Sequence, residues 1–346
     1  VEDKSVPRTA RDDGNRVTIS DIAKACGVTA ATVSRVLNKK KQFSASQAVR
    51  DRIFETAEKL GYVPDLAARS LSRKQTRIIG IFASPYTHVA EGINERLLDG
   101  LSETFHDSGY DVFLEVGSKD PDRGPPFWRF DGAVLLQSPK AATVRELTRR
   151  RVPYVCVNEQ LSDAVTSILA DDAAGMRRAV DHLAQLGHRR VAYANAQATY
   201  FNHYSVPERY ETFIKRSREL NIEPAVGHDT PFRNGATFLK QAIGQQRATA
   251  VITYDHMIAV NLVGAAGQLG LKIPDDFSLI CFNDQFPVAM LPVPLTAVAV
   301  NGREMGRLGA DQLLNLLGGH ADAGLREVRV DEELIIRSST APPRTS

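Results

Sequence analysis

Val17-Thr18-Ile19-Ser20-Asp21-Ile22-Ala23-Lys24-Ala25-Cys26-Gly27-Val28-Thr29-Ala30-Ala31-Thr32-Val33-Ser34-Arg35-Val36-Leu37-Asn38 reads as two short helices joined by a turn. Thr18 is a suitable N-cap, and Asp21 three positions on completes a capping-box-like pair. Ile22, Ala23 and Cys26 follow at helical spacing and point inward. Gly27 stands where a helix end wants a positive φ, which glycine adopts without steric cost. Thr29 can cap a second helix whose Val33, Val36 and Leu37 face the same small core. The start of that helix, Ala30 and Ala31, is small, while Thr32, Ser34, Arg35 and Asn38 lie on other faces. Small residues let a helix come close to base edges in a DNA major groove, and an arginine can then span guanine O6 and N7. Taken alone, the stretch leaves open a surface helical hairpin with one stray arginine.

The next forty residues narrow the choice. Ser46 to Leu60 is a third amphipathic helix, capped by Ser46, with Val49, Ile53, Ala57 and Leu60 on its apolar face. Gly61 ends it, and Tyr62-Val63-Pro64-Asp65 forms a turn whose Asp65 can cap a short helix, Leu66 to Leu71, before the basic linker Ser72 to Arg77. Thr18-Ile19, Asp21-Ile22-Ala23, Gly27-Val28-Thr29, Ala31-Thr32-Val33-Ser34-Arg35-Val36-Leu37-Asn38, Leu60-Gly61-Tyr62 and Ala68-Arg69-Ser70-Leu71 together resemble the head of a LacI/GalR-family transcriptional repressor. The loop Lys39 to Ala45 is about two residues longer than the family pattern, and its Lys39, Lys40 and Lys41 suit either phosphate contact or a solvated loop.

The resemblance implies roles for particular residues. Arg35 would read bases, helped by Thr29, Ala30, Ala31 and Thr32, while Thr18, Ser34, Asn38 and Tyr62 would position the DNA backbone. Ala68 and Leu71 would lie in a hinge helix, with Leu71 wedged into the minor groove; the alternative is that Leu71 is the last core residue of the head. One short helix reads too few base pairs for useful specificity, so the reading is a homodimer on a palindromic operator.

Charge is distributed accordingly. Residues 1–75 hold 15 Lys/Arg against 9 Asp/Glu, a balance of +6, whereas the remainder holds 28 against 32, a balance of −4. A basic head on a mildly acidic body suits a protein whose head alone meets phosphates. Val1 to Arg16 is polar and patternless, lacks an apolar core of the secretory kind, and is expected to be a disordered tail. No apolar run is long enough to span a bilayer. Cys26, Cys156 and Cys281 lie far apart with no CxxC or His-Cys clustering, which argues against a metal site or disulfide framework and fits a reducing cytoplasm.

From Arg77 onward, apolar strands alternate with helices. Strands are expected at 78–82, 111–116, 132–136, 153–158, 190–195, 249–254 and 277–282; helices at 94–108, 142–151, 172–186, 208–220, 236–244, 256–269 and 302–317. Repeated βα units imply parallel sheet covered by helices on both faces. About 260 residues exceed one comfortable core, so two stacked subdomains with a cleft between them are expected. Asp171-Asp172-Ala173-Ala174-Gly175, Leu186 to Val191, Glu208-Arg209, Leu269 to Ser278, Pro294-Leu295-Thr296 and Arg337-Ser338-Ser339-Thr340 resemble the family's effector-binding core. The fold class is therefore an all-α helix-turn-helix head plus an α/β, periplasmic-binding-protein-like core of two doubly wound subdomains. The resemblance implies a head at 17–62, a hinge at 63–76, and a core at 77–340 with chain crossings near 172, 300 and 326, followed by a tail at 341–346.

Ligands of such folds sit at the C-terminal ends of strands. By position the effector candidates are Ser84, Tyr86, Asn158, Arg209, Tyr254, Asp255, Asn283 and Phe286. Arg209 stands where the family commonly bonds its effector; a helix-surface arginine is the alternative. Asn158 and Asn283 stand where sugar-binding relatives often carry Asp, and removing two carboxylates while keeping Arg209 suggests a sugar acid beside the neutral sugars. No GxGxxG follows a strand, and GxxxxGK[ST], GxSxG and HExxH are absent, so neither an enzyme nor a cofactor is expected. A stand-alone solute-binding protein or an α/β enzyme remains the alternative for the core. The expected partners are duplex DNA, a small-molecule effector and a second copy of the chain, with no membrane.

Overall fold

The computed structural model describes residues 17–37, 45–63, 75–83, 93–116, 130–136, 141–161, 165–197, 203–225, 232–319 and 327–344. The chain falls into two compact units, Val1–Thr76 and Arg77–Ser346. Asn38, Lys39–Lys41, the expected helix at 66–71 with Ala68 and Leu71, and Ser84 and Tyr86 lie outside the described residues.

The first unit holds α1 (Ile19–Cys26), α2 (Ala30–Leu37) and α3 (Gln47–Lys59). Ile22, Ala23, Cys26, Val33, Val36, Ile53 and Ala57 form one buried cluster, with Val49, Tyr62 and Leu37 packed against it. Gly27 takes a left-handed φ of 64°, and the N–H of Val28 donates to the Ala23 carbonyl at 3.0 Å, closing the α1 terminus as the sequence requires. Gly61, at φ 64°, does the same for α3, with the Tyr62 N–H donating to the Ala57 carbonyl at 2.9 Å. Two expectations need correction. Ser46 occupies the N-cap position, but its side chain makes no capping bond; its carbonyl opens the helix by accepting from Val49 and Arg50. Leu60 is exposed rather than buried, because it falls past the last helical turn, where the chain is already turning at Gly61.

The second unit carries two six-stranded sheets. One contains β1 (Ile78–Ala83), β2 (Asp111–Val116), β3 (Gly132–Leu136), β4 (Tyr154–Val157), β5 (Ser167–Ala170) and β11 (Glu327–Val330), in the order β11-β5-β4-β3-β1-β2, all parallel. The other contains β6 (Arg190–Ala194), β7 (Glu223–Ala225), β8 (Ala250–Thr253), β9 (Ser278–Phe282), β10 (Thr296–Val300) and β12 (Glu332–Ile335), in the order β12-β10-β9-β8-β6-β7. Only β12 runs antiparallel there. β3, β5, β8 and β9 are buried along their whole length, as strands covered on both faces must be.

The described residues of this unit also form helices α4 (Ile93–Asp107), α5 (Ala141–Arg150), α6 (Asp172–Gln185), α7 (Ser205–Glu219), α8 (Gly235–Leu239, continuing into a π-helical turn at Lys240–Gln245), α9 (His256–Leu269) and α10 (Gly302–Leu317). α4 and α10 meet through glycines: a β-carbon at Gly100 would collide with the Arg303 carbonyl, and one at Gly306 with that of Leu97. The chain passes between the sheets at Asp171, Asn301 and Asp331. The third crossing comes about five residues later than expected, because Glu327–Val330 first adds in parallel to β5. The short strands β5, β7, β10, β11 and β12 escaped the periodicity reading, and α7 starts three residues early, with Pro207 tolerated in its first turn.

Candidate nucleic-acid interface and effector cleft

In the first unit the capping chemistry presents α2. Thr18 donates its N–H (2.8 Å) and its hydroxyl (2.7 Å) to Asp21 Oδ2, and accepts from the Asp21 N–H at 3.3 Å. Those bonds hold the Asp21 carboxyl below its ordinary pKa. Thr29 Oγ1 accepts from the Thr32 N–H at 3.1 Å and lies 2.9 Å from the Thr32 hydroxyl, so both threonines serve the start of α2. Ala30, Ala31 and Arg35 are exposed, Thr32 and Ser34 are half-buried, and Val33 and Val36 are buried beneath. α2 therefore offers a shallow outer surface with one long cation near its end. Thr18 is exposed but committed to its capping box, and half-buried Tyr62 packs on the head core.

In the second unit, α7 brings polar groups to the C-terminal ends of strands in both sheets. Arg209 is 5% exposed, so it is not a surface arginine. Its Nε donates to Asp172 Oδ1 at 2.5 Å, its Nη1 donates to the Tyr254 carbonyl, and its guanidinium lies 4.0 Å over the Phe282 ring and 4.8 Å over the Tyr254 ring. Burial is the strongest single influence and disfavours that charge, but Asp172 and the other acidic groups around it together outweigh it, and the guanidinium pKa rises.

Before Arg209 runs a hydrogen-bond chain. His203 Nε2 faces the Asn158 carbonyl at 3.0 Å and must be the donor there; Nδ1 then accepts from Ser205 Oγ at 2.8 Å, and Ser205 Oγ accepts from Tyr254 OH at 2.8 Å. Burial lowers the His203 pKa, which keeps the ring in the neutral form this chain needs. Tyr204 donates its hydroxyl to Asn158 Oδ1 at 3.2 Å and accepts from the Ala170 N–H at 3.3 Å. Residues following β4 and β5 of one sheet are thus tied to α7 and β8 of the other.

Of the effector candidates, Asn158, Arg209 and Tyr254 join this cluster. Asp255 is spent on the N-cap of α9, accepting from the Ile258 N–H at 2.8 Å, and burial raises its carboxyl pKa. Asn283 takes φ 66° after β9, much as Asn158 takes φ 53° after β4. Phe286 is 79% exposed on the loop beyond.

A match to "Bacterial regulatory proteins, lacI family" covers residues 18–65, and one to "Periplasmic binding protein-like domain" covers residues 180–340. The chain belongs to the LacI family. It is similar to the HTH-type transcriptional repressor PurR of Mannheimia succiniciproducens, at 26% identity over 93% of this chain and 98% of that one. Likewise it is similar to the repressor CytR of Escherichia coli, at 27% identity over 96% and 98%. The solved lac repressor dimer, bound to operator and the anti-inducer ONPF, shares the fold at a TM-score of 0.78 and 22% identity, over 94% of this chain and 100% of that one. A complex of the regulator CelR with cellobiose shares it at 0.67 and 20% identity, over 94% and 100%.

As a LacI-family chain it is a transcriptional repressor with a helix-turn-helix head and a ligand-binding effector domain. Among the described residues no helix is long and apolar enough to cross a membrane. Sequence reasoning missed Asp172, His203, Tyr204 and Ser205. Asp171 caps α6, its side chain accepting from the Ala174 N–H at 2.9 Å, while Asp172 turns to Arg209 instead. A second acid directly after a cap was the available signal that another partner was waiting.

Proposed function

We propose that this LacI-family chain acts as a homodimer on a palindromic operator, that α2 reads the bases through Arg35, and that a small molecule held between the two α/β lobes alters operator affinity. The observation that carries the reading is the capped, outward-facing α2 with Ala30, Ala31 and Arg35 exposed. Ala68 and Leu71 would add hinge contacts in the minor groove, and Thr18, Ser34, Asn38 and Tyr62 would position the backbone. The effector acts only through a difference in affinity between operator-competent and operator-incompetent states.

The effector proposed is a sugar or sugar acid, met by Asn158, Arg209, Tyr254 and Asn283 with Ser84 and Tyr86; Asp255 and Phe286 stand at its margin. Asp172 offsets the charge of Arg209, which favours a neutral hydroxyl-bearing ligand over the anion that the sequence suggests. Binding of cellobiose by CelR and of ribose by an Enterococcus faecium LacI-family regulator supports that class. A thermal-shift screen of the full chain against sugars, sugar acids and purines identifies the class, and stabilisation by purines alone would reject it. For the head, Arg35→Ala should weaken specific operator binding by about 1–3 kcal/mol and relax specificity at one position. Equal weakening on operator and random duplex would remove Arg35 from base readout.

A further inference from the structure

Glu332 opens β12, one residue past the crossing at Asp331, and its side chain is fully buried. It turns under the first turn of α6, where a β-carbon at Gly175 would collide with Glu332 Oε2 and crowd Val298. Asp172, three residues before Gly175, lies on that same helix face at the first crossing. Asp172 spends Oδ1 on Arg209. Its Oδ2 and both carboxyl oxygens of Glu332 are buried without a hydrogen-bond partner among the described residues.

Among the described residues, the groups facing Glu332 do not supply a free cation. Asp171, Asp172 and Arg178 come from α6 and its cap, Glu208 and Arg209 from α7, and Tyr204 from just before α7. Arg209 is held by Asp172. Arg178 is held by Asp331 and by the backbone carbonyl of Glu332. Glu208 is paired with Arg329. A bare carboxylate buried in that company is among the costliest groups a fold can hold.

We propose that Glu332 is a neutral carboxylic acid in the folded protein and donates its proton to Asp172 Oδ2, so that one buried proton joins the first and third chain crossings. The proton turns an unsatisfied oxygen into a donor and satisfies a second one. With it the Glu332–Asp172–Arg209 cluster carries no net charge; without it a negative charge is left in the interior between α6 and β12. Burial, and then the charge of Asp172, push the Glu332 carboxyl well above the carboxylate range, in keeping with that assignment.

The sign follows. In the unfolded chain Glu332 titrates near its ordinary 4.5. The stability it contributes is complete below that value and is lost as pH rises through the folded-state pKa. Full-length Glu332→Gln keeps the shape and an N–H donor but cannot titrate. The ratio of its folding constant to that of the wild type should rise about tenfold per pH unit from pH 5.5 to 7 in urea unfolding. Independently of any variant, wild-type protein carrying carboxyl-labelled ¹³C glutamate should show an isotope-shifted protonated-carboxyl stretch in its infrared spectrum at pH 7. A ratio flat across that range, or a wild-type spectrum without the labelled band, would overturn the proposal.

Discussion

The head and the effector domain are built on opposite length scales. In the head, the bonds that fix α1 and α2 join residues three positions apart, Thr18 to Asp21 and Thr29 to Thr32. In the effector domain, the bonds that assemble the polar cluster span 37 residues from Arg209 to Asp172, 46 from Tyr204 to Asn158 and 49 from Ser205 to Tyr254. A sequence read by periodicity and capping sees the first kind of bond and is blind to the second. The two regions should also fail differently: the long-range cluster in large, buried steps, the head in small, local ones.

Asp172→Ala gives the largest expected effect. It leaves Arg209 charged and unpaired at 5% exposure, and breaking a buried pair in this way costs about 3–5 kcal/mol. Urea unfolding of the effector domain measures it. A loss of under 1 kcal/mol, as for an exposed pair, would show that the cluster is not the interior anchor described above.

His188 comes next. It is 1% exposed, with Nδ1 accepting from the Thr249 hydroxyl at 2.8 Å and Nε2 facing the Ala341 carbonyl at 3.0 Å and Ser278 Oγ at 3.1 Å. Burial lowers its pKa to about 4. The folded state holds His188 neutral, so its contribution is complete above the unfolded value of 6.5 and is lost as pH falls toward 4. Unfolding followed across that window should show a loss of up to about 3 kcal/mol that is missing in His188→Gln. Identical pH profiles for the two proteins would contradict the buried bracket.

The head gives the smallest effect. Thr18→Ala removes one half of the α1 capping box and should cost about 1 kcal/mol of head stability, read from helical circular dichroism on heating. A loss as large as that of Asp172→Ala would erase the contrast between the two regions.

What could be read from sequence follows this division. Gly27 and Gly61 announced their helix ends because only local backbone geometry was at stake. The α/β repeat was legible from buried apolar runs such as Ile78–Ala83, whereas the edge strand β11, in which Glu327 and Arg329 alternate with Val328 and Val330, offers no such run. Arg209 was picked out as a site residue, but its partner was not, since nothing near position 209 points to position 172. Asn158 and Asn283 were read as lost carboxylates. Their left-handed φ values favour a short polar side chain at both places, asparagine and aspartate alike, a constraint that sequence spacing does not reveal.

The most direct measurement of the central claim is a pair of titrations at physiological salt: a duplex selected from random sequence by the purified protein, and an unselected duplex of equal length. Preference for the selected, two-fold-symmetric duplex should be on the order of 10³ or more, and a compound that stabilises the effector domain should shift that affinity while leaving the unselected duplex unchanged. Equal affinity for both duplexes, with or without every such compound, would contradict the assignment of α2 as a reading helix and of the effector domain as its control.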